Sequence, residues 1–208
     1  RGYSALFVYP FHLDKRITQS NPSGVAVLSL SGRTVRSGGL SAEIQGVTVP
    51  VRYSDFDDGE MIAVKEVLSS KWLTMGEVTK KFENKFAKFI GVKHAIALTN
   101  CTAALHLSLL ALGISKNSKV ITPTNSFIAS ANCIRMINAS PMLCDINSED
   151  GSIDMNSIND NADAIIPVHI YGNPCHFDSV KSFADEQKIP IIEDACQAHG
   201  AEYKNKKV

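Results

Sequence analysis

Ile189-Pro190-Ile191-Ile192-Glu193-Asp194-Ala195-Cys196-Gln197-Ala198-His199-Gly200 is a short apolar run that ends abruptly in two carboxylates. Ile189, Ile191 and Ile192 are what a strand buried on both faces requires, and Pro190 suits only its first position or an edge. The two acids therefore stand at a strand's C-terminal end. In an open parallel α/β sheet that rim is where ligands bind. Side chains alternate along a strand, so Glu193 and Asp194 cannot both point into one crevice. One is expected to face a ligand and the other to serve structure.

Upstream of this stretch, the chain alternates between strand-like and helix-like segments. Residues 94–98, 120–122, 141–144 and 164–170 read as strands, while residues 103–112, 127–137 and 178–187 carry helical spacing. Strands separated by helices of this length imply right-handed crossovers, hence an α/β fold with a mainly parallel sheet sandwiched by helices. Two further helices are expected before it. Residues 61–70 follow the acidic start Asp55 to Glu60, and residues 78–90 place Phe82, Phe86, Phe89 and Ile90 on one stripe that should face the core. Residues 1–48 differ in texture: rich in Ser and Gly, with Asp14 and Glu43 as their acids and short strand-like runs at 5–9 and 25–28. Their acid-poor start resembles a transit peptide but lacks the amphipathic stripe of one. The expected organisation is an extension over 1–48 and a folded α/β domain over 49–208.

At 208 residues and 44% hydrophobic content the chain can bury one substantial core. Its 21 basic and 21 acidic residues cancel, so no overall field favours nucleic acid or an anionic membrane. The five cysteines (Cys101, Cys133, Cys144, Cys175, Cys196) are odd in number and show no Cys-x-x-Cys spacing. That pattern resembles reduced cytosolic thiols more than a disulfide framework or a zinc site, so no metal is expected. No apolar run approaches the ~20 residues of a membrane-spanning helix. A cytoplasmic protein is the expectation.

Three strand ends carry candidate chemistry. Residues 94–98 run into Thr99-Asn100-Cys101-Thr102-Ala103, a small polar turn opening onto an apolar helix. Free N–H groups and the positive helix end suit a phosphate there, whereas an ordinary N-cap by Asn100 or Thr102 explains the same residues equally well. The turn has neither a P-loop's Gly-Lys-Ser/Thr nor the Gly-x-Gly-x-x-Gly of a nicotinamide-binding domain. The next strand ends in Pro123-Thr124-Asn125-Ser126-Phe127, which puts an aromatic ring on the same rim, either to stack on a planar ligand or simply to join the core, and Asp194 adds a carboxylate. Together these are the parts needed to hold a phosphorylated, cationic, aromatic ring. A buried aspartate keeps a ring nitrogen protonated through a charge-assisted hydrogen bond, and so lets the ring act as an electron sink.

Four ordered segments, 91–107, 121–132, 165–172 and 191–201, together with Ser70-Lys71-Trp72-Leu73-Thr74-Met75-Gly76, resemble the DegT/DnrJ/StrS family of pyridoxal-phosphate sugar aminotransferases. The resemblance covers about residues 49–208. It implies the large domain of fold type I and pyridoxal 5'-phosphate as cofactor. Its substrates would be a nucleotide-linked keto-sugar and an amino donor, glutamate or glutamine, and a homodimer would carry out the reaction. It further implies that Thr102 and the backbone of Ala103 hold the cofactor phosphate, that Phe127 stacks on the ring, that Asp194 pairs with its nitrogen and that Gln197 contacts its phenolate oxygen. Trp72, Thr74 and Met75 would lie near the sugar-nucleotide pocket. His169 and His199 are expected in structural roles, and His106 in the core. The family's Schiff-base lysine follows the Glu-Asp-Ala motif by some tens of residues. Val208 is reached first, and Lys204, Lys206 and Lys207 match a turn instead. The chain therefore reads as an N-terminal part that does not transaminate alone. A deoxysugar dehydratase with histidine in place of the lysine, or a non-catalytic relative, are the alternatives.

Overall fold

The computed structural model describes residues 41–44, 47–50 and 58–208; the strand-like runs at 5–9 and 25–28 lie outside the described residues. The described residues fall in two compact units, one holding Glu77 to Val208 and the other ending at Gly76. In the latter, β1 (Ser41–Ile44) and β2 (Val47–Pro50) form an antiparallel hairpin. The helix α1 (Asp58–Ser70) follows, with Asp58 and Glu60 in its first turn where the helix dipole favours acids. After it, the Trp72 indole N–H donates to the Met75 carbonyl at 3.1 Å.

The larger unit begins with α2 (Glu77–Ile90) and continues through α3 (Cys101–Ala111), β3 (Lys119–Pro123), α4 (Ala129–Met136), β4 (Ser140–Cys144), β5 (Ala164–Ile165) and α5 (Phe177–Gln187). A short antiparallel hairpin, β6 (Glu202–Tyr203) with β7 (Lys206–Lys207), closes it. The sheet order is β4-β3-β5, all parallel, with Val120 opposite both Pro141 and Ala164. The Ile189–Asp194 stretch extends this sheet through single parallel bridges, Ile191 to Ile165 and Asp194 to Val168. Pro190 stands at its start, where its carbonyl accepts from Ile165 N–H at 3.1 Å and no proline N–H is needed.

Alternation along β3 explains the two helical layers. Val120 packs with Leu105, Leu109, Ile134, Ile166 and Ile192, the side of α3 and α4; Ile121 packs with Ile165, Cys175, Val180 and Ala184, the side of α5. Val120, Ile121 and Ile165 are at most 1% exposed, and burying each such side chain contributes about 1.5–3 kcal/mol. A strand facing apolar helices on both sides must be apolar throughout. The continuous run Val120-Ile121 followed by a buried Thr122 fits that demand.

Two expectations fail. Residues 94–98 form no strand: no sheet neighbour pairs with them among the described residues, Ile96 is 66% exposed, and one backbone group, Ala97 N–H, is taken by the Glu83 carboxylate at 2.8 Å. The aromatic stripe of α2 is not core either. Phe82 and Phe89 are 40% and 53% exposed, and only Ala87 of this helix is buried. Its rings instead pack on one another, Phe86 meets the His199 ring edge-on at 6.2 Å, and the Lys207 ammonium lies 4.8 Å over the Phe89 ring.

Candidate cofactor cradle

Asp194 and Glu193 part company as strand alternation requires. Asp194 is 6% exposed; its Oδ2 accepts from the Ser130 hydroxyl at 2.7 Å and its Oδ1 from its near neighbour Cys196 N–H at 3.3 Å. Glu193 points elsewhere, with Oε2 3.1 Å from His169 Nε2. His169 is fully buried, and its Nδ1 accepts from Cys175 N–H at 3.1 Å. A ring nitrogen that accepts carries no hydrogen, so Nε2 is the protonated atom and donates to Glu193. His169 thus ties the segment after β5 to the acid strand and to the segment before α5.

The Asp194 carboxylate gathers the turn before α3 as well. Cys101, the first residue of α3, is joined to Cys196 by a disulfide, and its Sγ lies 3.8 Å from Asp194 Oδ1. A disulfide sulfur has no proton, so that approach is a van der Waals contact and not a hydrogen bond. The pairing corrects the expectation of five reduced thiols. Spacing could not show it, because the partners stand 95 residues apart and meet only when the sheet forms. The remaining cysteines, Cys133, Cys144 and Cys175, are free and buried, and burial pushes each thiol up to about 12. One donor atom each from Cys101, Asp194 and Cys196 fall within 4.8 Å of one another. With both sulfurs bonded to each other, neither is the thiolate a metal takes.

The turn itself adopts the N-cap that the sequence left open. Asn100 is extended (φ −167°) and its Oδ1 accepts from Ala103 N–H at 2.8 Å. That N–H is therefore taken, and an anion would reach it only by displacing the cap. Thr102 is half-buried, and its hydroxyl has no hydrogen bond among the described residues. Phe127, at the end of β3's loop, is 70% exposed. Its carbonyl accepts from Ser130 N–H at 3.1 Å, so the aromatic and the Asp194 partner share one turn. Ser126 Oγ lies 2.6 Å from Ser130 Oγ, completing a chain Ser126–Ser130–Asp194. Sequence reasoning missed Ser130; its i, i+4 spacing from Ser126 was the available signal.

Gln197 is exposed, and its Oε1 accepts from Tyr171 N–H at 3.0 Å, with Tyr171 held at φ +57°. The structure thus brings Cys101, Ser130, Asp194 and Cys196 into direct contact and sets Thr102, Phe127 and Gln197 on the segments those residues anchor. Trp72, Thr74 and Met75 are exposed and belong to the other unit. His106 is half-buried and not wholly in the core. No described helix is long and apolar enough to cross a membrane.

An uncharacterised protein of Methanocaldococcus jannaschii is 44% identical over 153 residues, covering 72% of this chain and 40% of that protein. GDP-perosamine synthase of Escherichia coli O157:H7 is 38% identical over 165 residues, covering 77% and 45%. Among solved structures, an E. coli GDP-4-keto-6-deoxy-D-mannose-3-dehydratase with bound hydrated pyridoxal phosphate superposes with a TM-score of 0.70 at 30% identity, covering 75% of this chain and 43% of that one. The chain spans less than half the length of these relatives. The parallel sheet between helices is that of the fold-type-I pyridoxal-phosphate enzymes, and pyridoxal phosphate is the cofactor of this group. With its residues 55–208 matching throughout, the chain belongs to the DegT/DnrJ/EryC1/StrS aminotransferase family.

Proposed function

We propose that this chain is the cofactor-holding part of a pyridoxal-phosphate aminotransferase that moves an amino group from glutamate or glutamine to a nucleotide-linked keto-sugar. The observation that carries the proposal is Asp194, a buried carboxylate at a parallel strand's tip in direct contact with the turn that opens α3. The donor set suits the cofactor: an anionic oxygen for a protonated ring nitrogen, an unengaged Thr102 hydroxyl at a helix N-terminus for a phosphate, and an exposed Phe127 ring for a flat face.

In this reading Thr102 binds the phosphate, with Ala103 N–H joining only as Asn100 releases it. Phe127 covers one ring face, and Gln197 contacts the phenolate oxygen. Asp194, oriented by Ser130, holds the proton on the ring nitrogen. Pyridoxal phosphate, when bound, supplies an electron sink for the carbon losing or gaining a proton. Lys204, Lys206 and Lys207 do not match the position of the family's Schiff-base lysine, so this reading assigns turnover to a protein of the relatives' full length. Trp72, Thr74 and Met75 are assigned to the sugar-nucleotide side. The complete protein is proposed to act as a cytoplasmic homodimer, with the family domain beginning near residue 49.

A dehydratase acting on a related keto-sugar is the second reading, favoured by the 30% identity to a 3-dehydratase that binds the same cofactor. The test is to supply the complete protein with pyridoxal phosphate, glutamate or glutamine, and GDP- or dTDP-linked 4-keto-6-deoxysugars. Aminosugar product by mass spectrometry supports the first reading. Loss of a hydroxyl with no nitrogen gained supports the second, and a protein that takes up no cofactor refutes both.

A further inference from the structure

Cys101 and Cys196 lie on the two segments the cradle is built from: one opens α3 beside Thr102, the other stands between Asp194 and Gln197. Both are half-buried and within reach of a small thiol, whereas Cys133, Cys144 and Cys175 are buried with thiols pushed up to about 12. Attack requires a thiolate. Thiol chemistry is thereby confined to this one pair.

We propose that Cys101 and Cys196 form a redox-modification site, exchanging with small-molecule disulfides and thiols of the glutathione class, that sets how tightly the cradle binds pyridoxal phosphate. The inference rests on the cofactor reading above. In the oxidising direction one protein thiolate attacks the small disulfide and releases one small thiol. The second protein thiolate then displaces the other, closing the Cys101–Cys196 bond. Two electrons and two protons leave the protein and appear as two small-molecule thiols; an added dithiol reverses the exchange.

The two states differ at the atom that matters. Joined, the sulfurs fix the phosphate turn against the Asp194 strand and present no proton to Oδ1, which the Cys101 sulfur contacts at 3.8 Å. Separated, the turn is free to move and a Cys101 S–H can donate to that oxygen, competing with a ring nitrogen. Preorganisation and an uncontested carboxylate both favour the joined form. Pyridoxal phosphate is expected to bind about tenfold more tightly to the oxidised protein, since a difference of that size needs only ~1.4 kcal/mol.

The experiment uses the complete protein stripped of cofactor and equilibrated in oxidised or reduced glutathione. Alkylation and peptide mapping report the thiols, and absorbance titration reports pyridoxal phosphate affinity. The expected result is a Cys101–Cys196 cross-link at the oxidising poise only, with about tenfold tighter binding there. The double variant Cys101→Ala/Cys196→Ala, checked by circular dichroism, leaves no thiol at the site for glutathione and is expected to bind alike at both poises, more weakly than the oxidised parent. A mapped cross-link with unchanged or weaker binding overturns the proposal, as does the absence of a cross-link at the oxidising poise or a redox response that survives in the double variant. Failure to bind at either poise, whatever the thiol map, overturns the cofactor reading on which the proposal rests.

Discussion

Replacing Asp194 by Asn isolates the charge of the carboxylate from its shape. The oxygen that accepts from Ser130 at 2.7 Å becomes an amide N–H₂, while the other oxygen keeps its bond from Cys196 N–H. Ser130 accommodates this because its hydroxyl also faces Ser126 Oγ at 2.6 Å, where either oxygen can donate. The serine pair reverses its direction, Ser130 accepts from the new amide, and no buried polar atom is left without a partner. What disappears is a charged acceptor for a ring nitrogen. A hydrogen bond to a charged group contributes about 1.5–3 kcal/mol and a neutral one about 1, so the variant should lose about 1–2 kcal/mol of cofactor affinity, or roughly 5- to 30-fold. Titrating the stripped complete protein with pyridoxal phosphate measures this, with circular dichroism confirming an unchanged fold. Equal affinity in Asp194→Asn and the parent would refute the assignment of Asp194 to the ring nitrogen.

Ser130→Ala leaves the Asp194 Oδ2 without its donor in a site 1% exposed, so the urea midpoint should fall by an amount equivalent to about 1.5–3 kcal/mol; an unchanged midpoint would show that water replaces the hydroxyl. Thiol alkylation at pH 8 of the folded, reduced protein should label Cys133, Cys144 and Cys175 about a thousandfold more slowly than a free cysteine, as thiols pushed from 9.0 to about 12 carry that much less thiolate, and labelling in minutes as seen by mass spectrometry would contradict their burial. A hydrogen bond from the Lys204 ammonium holds the Asp178 carboxyl below its ordinary range, and the same bond raises Lys204. The carboxylate's contribution is present above its unfolded value of ~3.9 and is lost as pH falls through the lower folded value, while the lysine's is present below ~10.4 and lost as pH rises through the higher folded one. Asp178→Asn should therefore change the melting temperature slightly at neutral pH and not at all at the acid extreme, the pair being exposed and screened.

The parallel sheet was legible because β3, β4 and the 189–194 stretch are apolar runs of strand length, each separated from the next by a helix or a turn-rich segment. The division of labour between Glu193 and Asp194 followed from alternation alone. What stayed hidden depends on meetings across the fold. Ser130 and Cys101 reach Asp194's surroundings only after crossovers that no local pattern encodes, and the cross-link between Cys101 and Cys196 has no spacing signature. Residues 94–98 have strand composition, yet a strand exists only where a neighbour offers its backbone, and none does among the described residues. The Phe82 and Phe89 stripe likewise has helical spacing, but periodicity names a face without naming what covers it.

The sequence distances spanned at Asp194 bear on how the protein matures. Its partners Ser130 and Cys101 stand 64 and 93 positions earlier in the chain. Contacts this remote form only after the entropy of closing long loops has been overcome, which places them among the slow events of folding. A nascent chain therefore does not bring Cys101 and Ser130 to Asp194 until its sheet has assembled through the 189–194 stretch. In the proposed cradle, cofactor loading is consequently a late step that follows assembly of the sheet.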